Sequence, residues 1–162
     1  MEETVSWDGH AHESGVRAMI VGVPGETAAD ETRVAITPPV AKKLVGQDLT
    51  VHVASGAGEG SDWSDADYRD VGCEVVDDRE TVFERADVVC QVRGLAANAD
   101  EPMDPYRDGQ IVIGTLGPYD LGDETYDELA AREVSAFALE LMPRISRAQS
   151  MDVLSSMASI GG

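Results

Sequence analysis

The sequence predicts an α/β layered sheet, mostly parallel, with flanking helices. Three observations carry that expectation. Short β-branched runs such as DVVCQV (87–92) and QIVIGTL (110–116) have the apolar continuity of strands buried on both faces. Segments bounded by helix start and stop signals lie between such runs. Strand and helix alternate along most of the chain, as they do where right-handed crossovers join parallel strands.

The first strand is expected in RAMIVGV, 17–23, and Pro24 with Gly25 turns the chain after it. A polar loop leads to TRVAITPPV, where Thr37 can cap a helix whose first turn tolerates Pro38 and which Gly46 stops. LTVHVA, 49–54, alternates as a strand does and enters SGAGEGS. In WSDADYRDVG, Ser64 and Asp67 have capping-box spacing and Gly72 is placed to terminate the helix. CEVV at 73–76 reads as a short strand, and TVFERA at 81–86 as a helical turn. After the strand at 87–92, residues 94–108 form a loop holding Pro102 and Pro105, with room for a brief helix between them. A helix from about Asp123 to Arg132 separates the strand at 110–116 from VSAFAL, 134–139. From about Ser146, the recurrence of Ala148, Met151, Leu154 and Met157 or Ala158 marks a last helix with one apolar stripe.

With 162 residues, one domain with a substantial core is expected, and a 43% hydrophobic share excludes a disordered chain. Residues 1–16 read as a flexible acidic extension, 17–142 as the folded domain, and 143–162 as a polar loop leading into the final helix. No run approaches eighteen apolar residues, and no basic stretch precedes an apolar one at the start, so neither a membrane span nor an ordinary secretory signal is expected. Cys73 and Cys90 both lie in apolar runs and read as small core residues, which makes the cytosol the default compartment.

The formal net charge is -19, and only Lys42 and Lys43 among the twelve basic residues are lysines. A phosphate backbone needs a basic footprint, so nucleic-acid binding is not expected. Such an acid coat suits a halophilic cytoplasm, where salt near 1 M screens charge over roughly 3 Å, or else a partner-steering surface. The coat is uneven. Residues 1–140 carry a net charge of -20, whereas 141–162 hold one acid, Asp152, and two bases, Arg144 and Arg147. A buried or anion-facing surface would account for the change.

Few residues carry the signals of chemistry. GAGEGS at 56–61 follows a strand but ends in Ser61 rather than glycine, so it reads as a tight turn with positive φ more than as a ligand loop. His10 and His12 lie in the extension and His52 alternates within a strand, which makes a metal site unpromising. Arg33 could hold a carboxylate or phosphate in its fork, or pair with Glu31, Asp30 or Glu26. Arg93, at a strand end, has the same two readings, with the ion pair favoured. Gln91 sits in an apolar run, so its amide faces a cleft or is bonded internally.

The segment PRISRAQSMDVLSS, 143–156, concentrates polar groups at the start of the last helix. Ser146 as cap puts Gln149 at the third helical position, with Asp152 and Ser156 three and then four residues further on. One reading is a self-satisfied cap with Arg144 paired to Asp152. The other is a set of donors and acceptors suited to a carboxamide ring or a phosphate.

At these residues the sequence resembles a known family. RISRAQSMDVLSSMASI is similar to the signature of the alpha subunit of proton-translocating NAD(P) transhydrogenase. VGVPGE with ETRVAITPP, SGAGEGSDWSDADY, ADVVCQVR and GQIVIGTL resemble the amino-terminal half of the wider alanine dehydrogenase and transhydrogenase-alpha superfamily, over roughly residues 17–160. The resemblance implies a Rossmann-like domain, one of two halves around a cleft, with residues after 143 forming a nicotinamide-facing loop and the start of an interdomain helix. It implies NAD(H) as cofactor, NADP(H) on a partner subunit, a homodimer in the complex, and docking onto a membrane beta subunit from the cytoplasmic side. Hydride would pass from NADH to NADP+ as protons cross the membrane.

By the same resemblance Arg144, Gln149, Asp152 and Ser155 lie at the nicotinamide ring. Gln149 would position the ring, while Arg144 with Asp152 would hold the loop and the ring geometry. Alanine dehydrogenases carry a lysine and a histidine where this sequence has Arg93 and Gly117, although Arg33 matches their substrate-carboxylate arginine. The glycine-rich half that binds the dinucleotide is not found within the 162 residues, so either another polypeptide supplies it, the reading favoured by the apolar stripe at 148–158, or the gene is truncated, and catalysis by this chain alone is not expected. An alanine-type dehydrogenase fragment and a non-catalytic assembly module are the alternatives.

Overall fold

Residues 17–98, 105–143 and 145–151 are described by a computed structural model of the chain. Six strands form one sheet: β1 (Ile20–Val23), β2 (Thr50–Ala54), β3 (Glu74–Val76), β4 (Val88–Arg93), β5 (Ile111–Thr115) and β6 (Ser135–Ala138). Their order is β3-β2-β1-β4-β5-β6, and each neighbouring pair is parallel. The chain therefore winds outward from β1 to β3, returns to the centre, and winds outward again to β6. The direction reverses between β1 and β4, and in such Rossmann-like sheets the crevice for a ligand opens at the carboxyl ends of that pair.

Among the described residues four α-helices cover the sheet: α1 (Pro38–Val45), α2 (Asp65–Asp70), α3 (Arg79–Arg85) and α4 (Asp123–Ala131). Strand side chains alternate between faces, so two cores form. On one face Val21, Val23, Val51 and Val53 pack with Ala41 of α1 and Tyr68 of α2. On the other, Val89 and Val112 pack with Val82 and Phe83 of α3 and Leu129 of α4. Buried polar groups are tied in. The Tyr68 hydroxyl donates to the Ile36 carbonyl at 2.8 Å. The Gln110 amide donates to the carbonyls of Phe83 and Ala86 at 2.9 and 2.8 Å.

The start and stop signals act in different ways. Ser64 and Asp67 form a reciprocal capping box, with Ser64 N–H donating to the Asp67 carboxylate at 2.8 Å and Asp67 N–H to the Ser64 hydroxyl at 3.3 Å. Thr37 caps α1 by its carbonyl alone, because prolines fill the first two helical positions and leave its side chain few donors to meet. Gly46 keeps a right-handed conformation, and the left-handed residue after α1 is Asp48, at φ 62°. α3 starts at Arg79, earlier than the expected 81, because the Asp78 carboxylate accepts Thr81 N–H at 2.8 Å and caps it.

Beyond β6 the described chain tightens into short turns. Ala148 N–H bonds to Ile145 O and Met151 N–H to Ala148 O, each 2.9 Å, and Gln149–Met151 form a 3₁₀ turn. The expected start of an α-helix at Ser146 is thus replaced by i→i+3 bonding as far as Met151. The extension at 1–16, residues 99–104 of the loop that holds Pro102, and the remainder of the final stripe, Leu154, Met157 and Ala158, lie outside the described residues.

Candidate functional site at the carboxyl ends of the strands

The rim above β1, β2 and β4 is built from the loop that follows β1. Gly25 turns the chain at φ 74°, which places Glu26 over the gap between β1 and β4. There its carboxylate accepts the backbone N–H groups of Val92 and Arg93 at 2.6 and 2.9 Å. Burial raises the pKa of Glu26, against the pull of those two N–H groups. The ligand crevice of the fold thus already contains a carboxylate of the chain itself. Glu140 does the same at β5, where one of its oxygens accepts Leu116 and Gly117 N–H at 2.9 and 2.7 Å.

Further along the same loop the arginines settle into pairs. Glu31 is gripped by Arg33 through Nε at 2.7 Å and Nη2 at 2.5 Å, and by the Arg33 backbone N–H at 3.0 Å. Arg93 adds its Nε to the same carboxylate at 3.2 Å and its Nη1 to Asp30 at 3.1 Å. The Glu31 side chain is only 3% exposed. The hydrogen bond from Arg33 chiefly holds its carboxyl below the usual range. Of the two readings open for each arginine, the structure shows the ion pair. Together these contacts tie the loop to the end of β4, and Asn98 adds a 2.6 Å bond to the Thr27 hydroxyl. Gln91 is bonded internally, accepting the Tyr106 hydroxyl at 2.8 Å.

A polar cavity of about 300 Å³ lies beside this cluster, between Gly25, Glu26, Arg33, Ser55, Gly56 and Arg79 among others. Arg79 donates to the Gly25 carbonyl, and its guanidinium stands 4.9 Å from the Phe83 ring centroid. Across the cavity, the GAGEGS turn divides its glycines between two tasks. Gly56 takes φ 78°, and its N–H donates to Asp65 at 2.9 Å. Gly60 is needed for clearance, since a Cβ there would stand 2.7 Å from the Thr32 carbonyl. The sequence reading of positive φ holds for the first of these.

The predicted site residues are distributed unevenly over the described chain. Gln149 is exposed, on the 3₁₀ turn that follows β6. Arg144, Asp152 and Ser155 lie outside the described residues. Sequence reasoning missed the roles of Glu26 and Arg79. Their partners lie 66 and 54 positions away, and the one available signal was the polar residue directly after the Pro24–Gly25 turn. His52 is buried within β2, with Nε2 3.2 Å from Glu74. Gly117 holds φ 61°, and a Cβ there would lie 2.8 Å from Ala97 N, so the position serves a tight turn. No described helix is long and apolar enough to cross a membrane.

Comparison with known proteins agrees with this geometry. The family described as "Alanine dehydrogenase/PNT, N-terminal domain" matches residues 22–161. The first part of NAD(P) transhydrogenase subunit alpha from Rhodospirillum rubrum is 37% identical over 147 residues, covering 89% of this chain and 38% of the relative. The crystal structure of transhydrogenase from Sinorhizobium meliloti superposes with a TM-score of 0.76 at 39% identity, over 87% of this chain and 41% of that one. An L-alanine dehydrogenase structure gives 0.74 at 27% identity, over 88% and 37%. The chain spans about two fifths of the length of these relatives. It belongs to the alanine dehydrogenase/PNT amino-terminal domain family, and of these relatives it shares more of its sequence with the transhydrogenases than with the alanine dehydrogenase.

Proposed function

We propose that this chain is part of the NAD(H)-binding component of a proton-translocating NAD(P) transhydrogenase and supplies the surface that faces the nicotinamide ring. The observation that carries the reading is Gln149. Its side chain is exposed on the turn after β6, inside residues 22–161, which match the alanine dehydrogenase/PNT amino-terminal domain family. An exposed primary amide can donate to and accept from a carboxamide, and so orient a ring for transfer. Arg144, Asp152 and Ser155 complete the proposed set, with Arg144 and Asp152 holding the loop. NADH supplies the hydride when bound, and NADP(H) sits on the partner subunit.

The fit of the chain to the cofactor is partial. The β1–β4 crevice is closed by the Glu26 carboxylate at the Val92 and Arg93 N–H groups, so a pyrophosphate meets a like charge there instead of open donors. The ring end of the dinucleotide fits this half, and the adenosine and pyrophosphate end belongs to the second half. In the assembled protein the complex is peripheral to the membrane and reaches it through the beta subunit, and the alpha components pair as a homodimer. Acid–base chemistry on a keto acid is disfavoured, because Gly117 offers a turn where a proton carrier would be needed and both Arg33 and Arg93 hold Glu31.

The experiment is reconstitution. The chain is mixed with the remaining alpha half and the beta subunit, and hydride transfer from NADH to an NADP+ analogue is followed by absorbance. A rate that depends on adding the chain supports the proposal. No change on adding it counts against it, and alanine-dependent NAD+ reduction would instead favour the dehydrogenase alternative.

A further inference from the structure

Two polar spaces meet at Glu26. On one side its carboxylate closes the β1–β4 crevice at the Val92 and Arg93 N–H groups. On the other lies the cavity of about 300 Å³. Its described lining comes from the loops after β1 and β2 and from the start of α3, and none of it from β4 or β5. Neither the cavity nor Arg79 has a part in the transhydrogenase reading. The volume is at the small end of the range for ligand pockets, which suits a small polar molecule and not a dinucleotide.

Arg79 gives the cavity its chemistry. Its guanidinium lines the space, held from one side by its bond to the Gly25 carbonyl and from another by the Phe83 ring, whose centroid is 4.9 Å away. A fork fixed in this way meets an oxyanion with little further loss of side-chain freedom. The N-terminus of α3 takes no part, since the Thr81 N–H is taken by Asp78. The other cation in the wall, Arg33, is committed to Glu31, whose side chain is buried and also held by Arg93. The Thr27 hydroxyl accepts from Asn98 at 2.6 Å and keeps its own proton to donate.

Glu26 is the like charge in that wall. Burial raises its pKa against the Val92 and Arg93 N–H groups, Glu31 adds to the rise, and Arg79 opposes it. The charge of Arg33 is also coupled to it. An anion beside Arg79 offsets part of that opposition and brings a second negative charge, so Glu26 takes up a proton as the anion binds. By linkage the anion binds more tightly as pH falls. We propose that the cavity is a small-oxyanion site, taking a carboxylate or a tetrahedral oxyanion on the Arg79 guanidinium, with occupancy coupled to protonation of Glu26.

The test is calorimetric titration of the full chain with sulfate, and in a second arm with formate, at constant KCl. In a chain of net charge -19 the overall field repels anions, so saturable one-to-one binding reports a local site. The expected result is saturable binding of at least one probe that tightens from about pH 8 to about pH 5, a range in which both probes stay ionised. Sulfate alone assigns the site to tetrahedral oxyanions, and formate alone to carboxylates. Arg79→Ala weakens binding at least about tenfold. Arg85→Ala removes the same charge from the far end of α3 and leaves binding unchanged. Arg79→Lys, which keeps the charge without the fork, is intermediate, and it decides the matter if the alanine variant does not fold. In Glu26→Gln the pH dependence disappears. The proposal is overturned by absence of saturable binding to wild type, by wild-type affinity in either Arg79 variant, or by a pH dependence that persists in Glu26→Gln.

Discussion

The Glu26 carboxylate accepts the backbone N–H of Arg93 at 2.9 Å across the point where the strand order reverses. With the 2.6 Å bond from Val92, it joins the loop after β1 to the end of β4 and fills the place where this fold commonly receives an anion. The sheet keeps its Rossmann-like order while its central crevice is closed by its own side chain.

Removing that carboxylate leaves two part-buried donors unmet. Glu26→Ala is expected to lose about 1–3 kcal/mol of unfolding free energy, read by urea denaturation. The sign of its pH dependence follows from burial. Folded Glu26 holds its proton above the ordinary 4.5, so its contribution is fully present below that value and is lost as pH rises through the folded pKa. The gap between wild type and Glu26→Ala therefore widens toward acid.

Glu31 has the opposite slope. Its pKa lies below 4.5 because Arg33 bonds to the ionised form, so its contribution is present above 4.5 and is lost as pH falls through the folded pKa. Glu31→Gln is expected to be less stable than wild type at neutral pH and to converge with it in acid. Denaturation at several pH values checks both carboxylates in one series, and parallel slopes for the two variants would contradict the assignment.

Gly22 lies where β1 passes under α3. A Cβ there would stand 2.5 Å from Val82 Cγ1 and 2.6 Å from Ala86 Cβ. Gly22→Ala is expected to destabilise the protein by about 1–3 kcal/mol through overpacking. Combining it with Val82→Ala should give a double-mutant coupling of at least about 0.5 kcal/mol, because the two sites share the clash.

The net charge of -19 predicts a salt-dependent fold. Raising KCl from 0.1 M toward 1 M shortens the screening length from about 10 Å to about 3 Å, which relieves repulsion between acids on the surface. Tm is expected to rise over that range, as scanning calorimetry would show.

The six strands and four α-helices of the described residues were legible in the sequence to within a few residues, because buried β-branched runs and caps such as Ser64–Asp67 are local signals. Side-chain partnerships were less so. Glu26 and Arg79 meet the distant segments at Val92 and Gly25, and no local pattern announces contacts of that range. The ambiguity of Arg33 had a related origin, since three acids stood within reach and only the folded loop selects Glu31. Ser146 looked like a cap because spacing cannot distinguish an α-helix from the 3₁₀ bonding that Ile145, Ala148 and Met151 adopt. Gln149 was legible as a polar group at a strand-to-helix junction, and its assignment to a nicotinamide ring came from the likeness of the surrounding run to one family.

The most direct measurement is hydride transfer from NADH to an NADP+ analogue in the assembled complex, comparing the wild-type chain with Gln149→Ala. The account predicts at least a tenfold slower transfer in a complex that assembles normally by sedimentation, the loss of about 1.4 kcal/mol of ring orientation in the transition state. An unchanged rate in the intact complex would contradict it and leave the chain with an assembly role alone.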